Sequence, residues 1–198
     1  MARPSSFNRE DALSSARDLF WRKGFHATSL KDIEAALSLK PGSIYAAFGS
    51  KKDLFAEALE HYSQGVQAEF QTYVDAAGSP LDALISYVRN ITASRDQCVP
   101  SNACMIFKTT LELADEESDL KQLANARLSG MASLFAQAFA LVQEKGEISQ
   151  TVNPHRAALQ LQASITGARG MIEGALSEED IDHLREDIVS NLERLRIG

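Results

Sequence analysis

The sequence predicts an all-α fold, and three observations point to it. Apolar residues recur three and four apart along nearly the whole chain, as on the buried face of a helix. The period-two alternation of a half-buried strand is missing. Gly, Pro and capping Ser, Asn and Asp residues fall at helical intervals. About nine helices follow from this punctuation.

Ala12, Leu13, Ala16, Leu19 and Phe20 make the stripe of a first helix. Asn8 is its expected cap, with Asp11 three residues on, and Gly24 its stop. Ser29 and Asp32 form a capping box for a short second helix ending near Leu37. Pro41 fits the first position of a third, where its missing N–H costs nothing. Ile44 and Phe48, four apart, point inward, and Gly49 ends the helix. Ser50 and Asp53 box a long fourth helix with Phe55, Leu59, Tyr62, Val66 and Phe70 on one stripe.

Gly78-Ser79-Pro80 is a turn, and Leu81, Leu84, Ile85, Val88 and Ile91 mark a fifth helix. After a loop at 98–102, a sixth covers 103–113. A seventh follows Asp115-Glu-Glu-Ser and runs to Lys145, before Gly146. Asn153-Pro154 opens an eighth that reaches about Leu176. Ser177 and Asp180 cap a ninth carrying Ile181, Leu184, Ile188, Leu192 and Leu195. The expected division is a head of residues 1–52 and a larger helical region of residues 53–198.

Composition excludes several function classes. No apolar run approaches the ~20 residues that span a bilayer. The N-terminal MARPSSFNRED lacks an apolar signal core, so a cytoplasmic location is expected. Cys98 and Cys104 are too few for a disulfide scaffold, and with scattered His26, His61, His155 and His183 they give no metal spacing. No phosphate loop, nucleophile elbow or acid/base pair is present, so neither enzyme activity nor a cofactor is expected. Charge is segregated. Residues 1–52 hold nine Lys/Arg against five Asp/Glu, a net +4, whereas residues 53–198 hold eleven against twenty-two, a net −11. A basic head on an acidic body implies that only the head meets a polyanion.

Three short helices with a tight turn, Leu37-Ser38-Leu39-Lys40, describe a helix-turn-helix, which sends the N-terminal end of its later helix into the major groove. Free N–H groups there favour phosphates and base acceptors. Lys40 and Ser43 can donate at this end, Gly42 lets backbone approach, and Tyr45 and Lys51 can reach phosphates. Ala46 and Ala47 could touch only thymine methyls.

These residues also resemble a family. Ala16-x-x-Leu19-Phe20-x-x-x-Gly24-Phe25, Thr28-Ser29-Leu30-x-Asp32-Ile33, Gly42-Ser43-Ile44-Tyr45-x-x-Phe48 and Lys51-x-x-Leu54-Phe55 are similar to the DNA-binding region of TetR-type repressors. The resemblance implies that Lys31 faces a base edge or phosphate. It places Pro41, Gly42 and Ser43 at the groove, Tyr45 and Lys51 on the backbone, and Ser29 at the cap of the second helix near a phosphate. Ser38 stands where glycine is common in the family, Lys40 where a Ser/Thr cap is common, and Glu34 where a small residue is common.

The resemblance further implies a second region that binds a small-molecule effector and forms a homodimer on palindromic operator DNA. Ala163, Gly167, Gly170 and Gly174 give the eighth helix a small-residue face, and Met171, Leu184, Ile188 and Leu192 could fill the seam. Pocket candidates are Tyr62, Tyr87, Met105, Phe107 and Phe135, with Lys108 and Arg169 able to pair an anion or reach solvent. Cys104, near a helix N-terminus and six residues from Cys98, opens an alternative: release through a Cys98–Cys104 disulfide or an alkylated Cys104. A helical dimer acting on a protein partner is the other alternative.

Overall fold

The computed structural model describes residues 8–93, 99–114, 117–174 and 176–197. Its helices are α1 (Arg9–Lys23), α2 (Leu30–Leu37), α3 (Pro41–Phe48), α4 (Lys51–Ala76), α5 (Pro80–Ile91), α6 (Met105–Glu112), α7 (Ser118–Glu144), α8 (Pro154–Glu173) and α9 (Glu178–Glu193). Among the described residues the only β feature is a single antiparallel bridge, Ile148 to Arg196. No described helix is long and apolar enough to cross a membrane.

Local chemistry sets the helix ends. Ser29 and Ser50 each form a reciprocal capping box, with Asp32 and Asp53. Ser79, Asn153 and Ser177 cap α5, α8 and α9. Asn8 caps α1 as expected, but its side chain takes the N–H of Glu10. Helix α6 starts later than expected, with Cys104 as its N-cap residue, and α8 stops at Glu173 before Gly174. The loop expected at 115–116 lies outside the described residues.

Two buried clusters share the long α4. One joins Phe20, Ile33, Ile44, Phe48, Leu54 and Phe55 to Met105 and Ile106 of α6 and to Leu120 of α7. Phe55 meets both Phe20 and Phe25 edge-on at 5.0 Å, an arrangement the aromatic quadrupoles favour. The other cluster gathers Phe70, Tyr87, Phe135, Phe139, Leu161, Ile188 and Leu192. With about 1.5 Å of rise per residue, the 26 residues of α4 run roughly 39 Å through both cores. Helix α4 is thus continuous through residue 52, and Leu54 and Phe55 pack with the head.

Candidate functional site

Helix α3 buries Ile44 and Phe48 and turns Gly42, Ser43, Tyr45 and Ala46 outward. Tyr45 is 45% exposed. No side chain caps α3 at Lys40. The N–H groups of Ser43 and Ile44 return to Lys40 O, while among the described residues the Gly42 N–H has no acceptor. A Cβ built on Gly42 would meet nothing within 4 Å, so the backbone itself is open to a ligand. The turn before α3 holds Ser38 at φ 53° and ψ 35°, the left-handed region. This lets the N–H groups of Ser38 and Leu39 both return to Glu34 O.

The head's lysines stand in three situations. Lys31 and Lys40 are exposed and, among the described residues, form no ion pair. Lys23 bonds Asp32 at 2.8 Å and Lys52 bonds Asp119 at 2.6 Å, so both are spent within the fold. Lys51 is half-buried, its ammonium 4.5 Å from the centre of the Phe25 ring. Burial pulls its pKa below the ordinary lysine value, against Glu112 and Asp32, which oppose the shift. Ser29 gives its hydroxyl to Asp32 at 2.7 Å and accepts Asp32 N–H at 3.2 Å, which fixes the start of α2 beside Lys31.

Behind the head lies a cavity of about 540 Å³ lined by Trp21 of α1, Tyr62 and Val66 of α4, Ile91, Asn102 and Arg169, with Arg17, Asp18 and Glu69 among its other walls. Of the expected pocket residues, only Tyr62 and Arg169 line it. Tyr87, Met105 and Phe135 are packed into the two cores, at 0%, 2% and 1% exposure. Phe107 points outward, toward a groove between α7 and α8. Lys108 neither faces the cavity nor ends in solvent: its ammonium donates to Trp21 O at 2.8 Å and to Ser101 Oγ at 3.2 Å. Cys104 is buried, and Cys98 with its proposed disulfide lies outside the described residues.

Sequence reasoning missed the α1 wall of this cavity. Trp21 packs edge-on against Tyr62 at 4.9 Å and donates its indole N–H to Ala103 O at 2.7 Å. Glu173 steadies the same loop, taking Asn102 N–H at 2.6 Å and the Ser101 hydroxyl at 2.9 Å. Burial pushes the Glu173 carboxyl up, yet these bonds outweigh it and leave it below its ordinary value. Such pairings join residues about 70 to 80 positions apart, beyond the reach of any local periodicity.

Along α8, Leu159, Ala163, Gly167, Gly170 and Met171 are exposed, and Gly174 lies just beyond its end. A groove of about 580 Å³ runs beside them, lined by Phe107, Leu128, Ala132, Leu159 and Gly167. Leu184 is half-buried. Ile188 and Leu192 are 8% and 4% exposed within the chain's own second core, so they have little surface left for a seam.

A three-helix head with an open recognition-helix terminus and unpaired lysines defines a helix-turn-helix DNA-binding protein. Residues 12–58 match the model of bacterial regulatory proteins of the tetR family, and residues 80–188 match the tetracyclin repressor-like C-terminal domain. The chain belongs to the TetR family and is a DNA-binding transcriptional regulator. The HTH-type transcriptional repressor ComR of Escherichia coli (strain K12) is 30% identical over 150 residues, covering 74% of this chain and 70% of that protein. The HTH-type transcriptional repressor BdcR of the same strain is 47% identical over 60 residues, 30% of each chain. A cysteine mutant of the TetR family regulator CifR, solved with 26-bp double-strand operator DNA, superposes with TM-score 0.84 at 25% identity, covering 95% of this chain and 98% of that one.

Proposed function

We propose that this regulator is a repressor that binds a palindromic operator as a homodimer and leaves it when a small molecule fills the cavity behind Trp21. The observation that carries the DNA-binding roles is the uncapped α3 terminus, with Gly42, Ser43 and Tyr45 exposed and with Lys31 and Lys40 exposed and free of ion pairs among the described residues. Gly42 N–H and Ser43 meet base edges or phosphate, Pro41 holds the first turn open, and Lys31 and Lys40 meet the duplex from α2 and from the turn. Tyr45 hydrogen-bonds a phosphate. Lys51 contributes charge from above the Phe25 ring. Ser29 holds the start of α2 against the backbone.

One eight-residue recognition helix makes too few contacts for selective binding, so two heads on half-sites a helical turn or a multiple apart are needed. The exposed small-residue stripe of α8, with Leu159 and Met171, supports a seam between two copies. ComR and BdcR are both named repressors, and the CifR structure contains operator DNA, which supports the same reading here. Residues 1–52 would then serve as the reading head and 53–198 as the sensing and pairing body.

The test is fluorescence anisotropy on the DNA upstream of the protein's own gene, with a panel of operator base changes. Tyr45→Ala is expected to weaken binding to every sequence by a similar factor, on the order of tenfold, as loss of a phosphate contact does. Ser43→Ala is expected to alter base preference. Uniform losses across the panel for Ser43→Ala would remove its reading role, and absence of any DNA affinity at low salt would favour the protein-partner alternative. The thiol alternative fails if Cys104→Ser leaves operator release unchanged.

A further inference from the structure

We propose that the cavity behind Trp21 takes a small monocarboxylate with an apolar body, its carboxylate held by Arg169 and its ring or chain laid against Trp21. This rests on reading that cavity as the effector site, and it names the class of effector.

Arg169 carries the case. It is 9% exposed and lines the cavity from α8. Its Nε donates to Asn102 O at 2.7 Å and one Nη reaches the Tyr62 hydroxyl at a long 3.5 Å. Among the described residues no carboxylate stands at ion-pair distance from its guanidinium. A guanidinium has five N–H donors in a planar fork, so more than half of this one is unspent. Tyr62 cannot supply the missing charge: burial pushes its phenol up, and it stays neutral.

A buried cation left without a counter-ion is costly, and a bidentate carboxylate is the partner its geometry matches. The acidic groups elsewhere on the wall are already engaged. Asp18 holds Arg17 at 2.6 Å, and Glu69, which is exposed, accepts from Asn90 at 3.0 Å. With Arg17 spent on Asp18, Arg169 is the one lining cation among the described residues without a carboxylate partner, and together with those carboxylates this selects one negative charge over two. Trp21, Val66, Ile91, Val99 and Pro100 supply the apolar wall. The volume of about 540 Å³ lies within the range of small-molecule sites.

Trp21 is the chain's one tryptophan and lies on the cavity wall, so its emission reports occupancy directly. The full-length protein is titrated with benzoate, 3-phenylpropanoate and octanoate, each beside its neutral amide. At least one acid is expected to give a saturable change and to bind at least about tenfold tighter than its amide, the difference a charge-assisted pair confers. Arg169→Gln is expected to abolish that preference, and Arg169→Lys to restore part of it. Should Arg169→Gln fail to fold, the acid-to-amide ratio on the wild-type protein decides. Equal binding of acid and amide, or no saturable change with any acid at millimolar concentration, overturns the proposal. Operator anisotropy separates the two readings. An acid that binds through Arg169 without releasing DNA upholds the ligand class and ends the effector reading. Release by an amide while the acids do not bind does the reverse.

Discussion

Ser38 occupies a backbone conformation that its side chain resists. At φ 53° it is the one non-glycine among the described residues with positive φ. The left-handed region costs a side-chain-bearing residue about 1–2 kcal/mol. Glycine escapes that cost but gives up part of the gain through its freer unfolded chain. The net expectation for Ser38→Gly is a stabilisation of up to about 1 kcal/mol, read as a rise of roughly 2–4 °C in melting temperature. Operator affinity should be unchanged, because the bonds from residues 38 and 39 to Glu34 O remain. A fall in melting temperature would show that the Ser38 side chain itself supports the turn. The sequence pointed to the strain through a serine in a turn where the resembled family commonly has glycine; the sign of φ became plain once α2 and α3 were placed.

At the scale of the element, what was legible was what is local. A capping box needs a serine and an acid three residues apart, so Ser29–Asp32 and Ser50–Asp53 could be read directly from spacing. The same holds for Pro41 at N1 and for the stripe on α4. Less legible was which side of a short apolar helix would face where. Met105 and Phe107 are both apolar and two residues apart on α6, which places them on opposite sides; only packing decided that Met105 is core and Phe107 is surface. The box at α2 also has a consequence for pH. The Asp32 carboxyl is held well below the usual carboxylate range, first by its bond from Lys23, then by the Ser29 N–H and hydroxyl. Its folded pKa lies beneath the unfolded value of about 3.9, so its stabilisation is complete above that pH and is lost as pH falls through the folded value. Urea unfolding measured from pH 7 to pH 2 should therefore show a decline below about pH 4 that is shallower in Asp32→Asn. Equal declines in the two proteins would place the acid sensitivity elsewhere.

At the scale of the molecule, the cavity and the head are joined through α6, and no spacing in the sequence foretold it. Trp21 lies on the cavity wall, its indole N–H on Ala103 O and its carbonyl under the Lys108 ammonium at 2.8 Å. At the far end of α6, Glu112 accepts His26 N–H at 2.7 Å, and its carboxylate lies 2.5 Å from where a Cβ on Gly24 would stand. Both ends of α6 thus grip the segment that leads from α1 into α2. Under the proposed function, a ligand that displaces Trp21 or Asn102 would act on α6 and through it on the orientation of the head, and Lys108 would then be a coupling residue rather than a ligand contact. Lys108→Met keeps the apolar stem and removes the bonds to Trp21 and Ser101. A charged hydrogen bond contributes about 1.5–3 kcal/mol, and allosteric coupling free energies are typically about 1–3 kcal/mol, so losing this strap should remove a large share of the coupling. Operator Kd, measured by anisotropy with and without saturating 3-phenylpropanoate, should shift about fivefold less on ligand addition in the variant than in the wild type. Ligand binding followed by Trp21 emission, and ligand-free operator affinity, should stay close to wild type. A ligand-induced shift of unchanged size would mean that the signal reaches the head along α4 or α7 instead, the two long helices that each place residues in both cores.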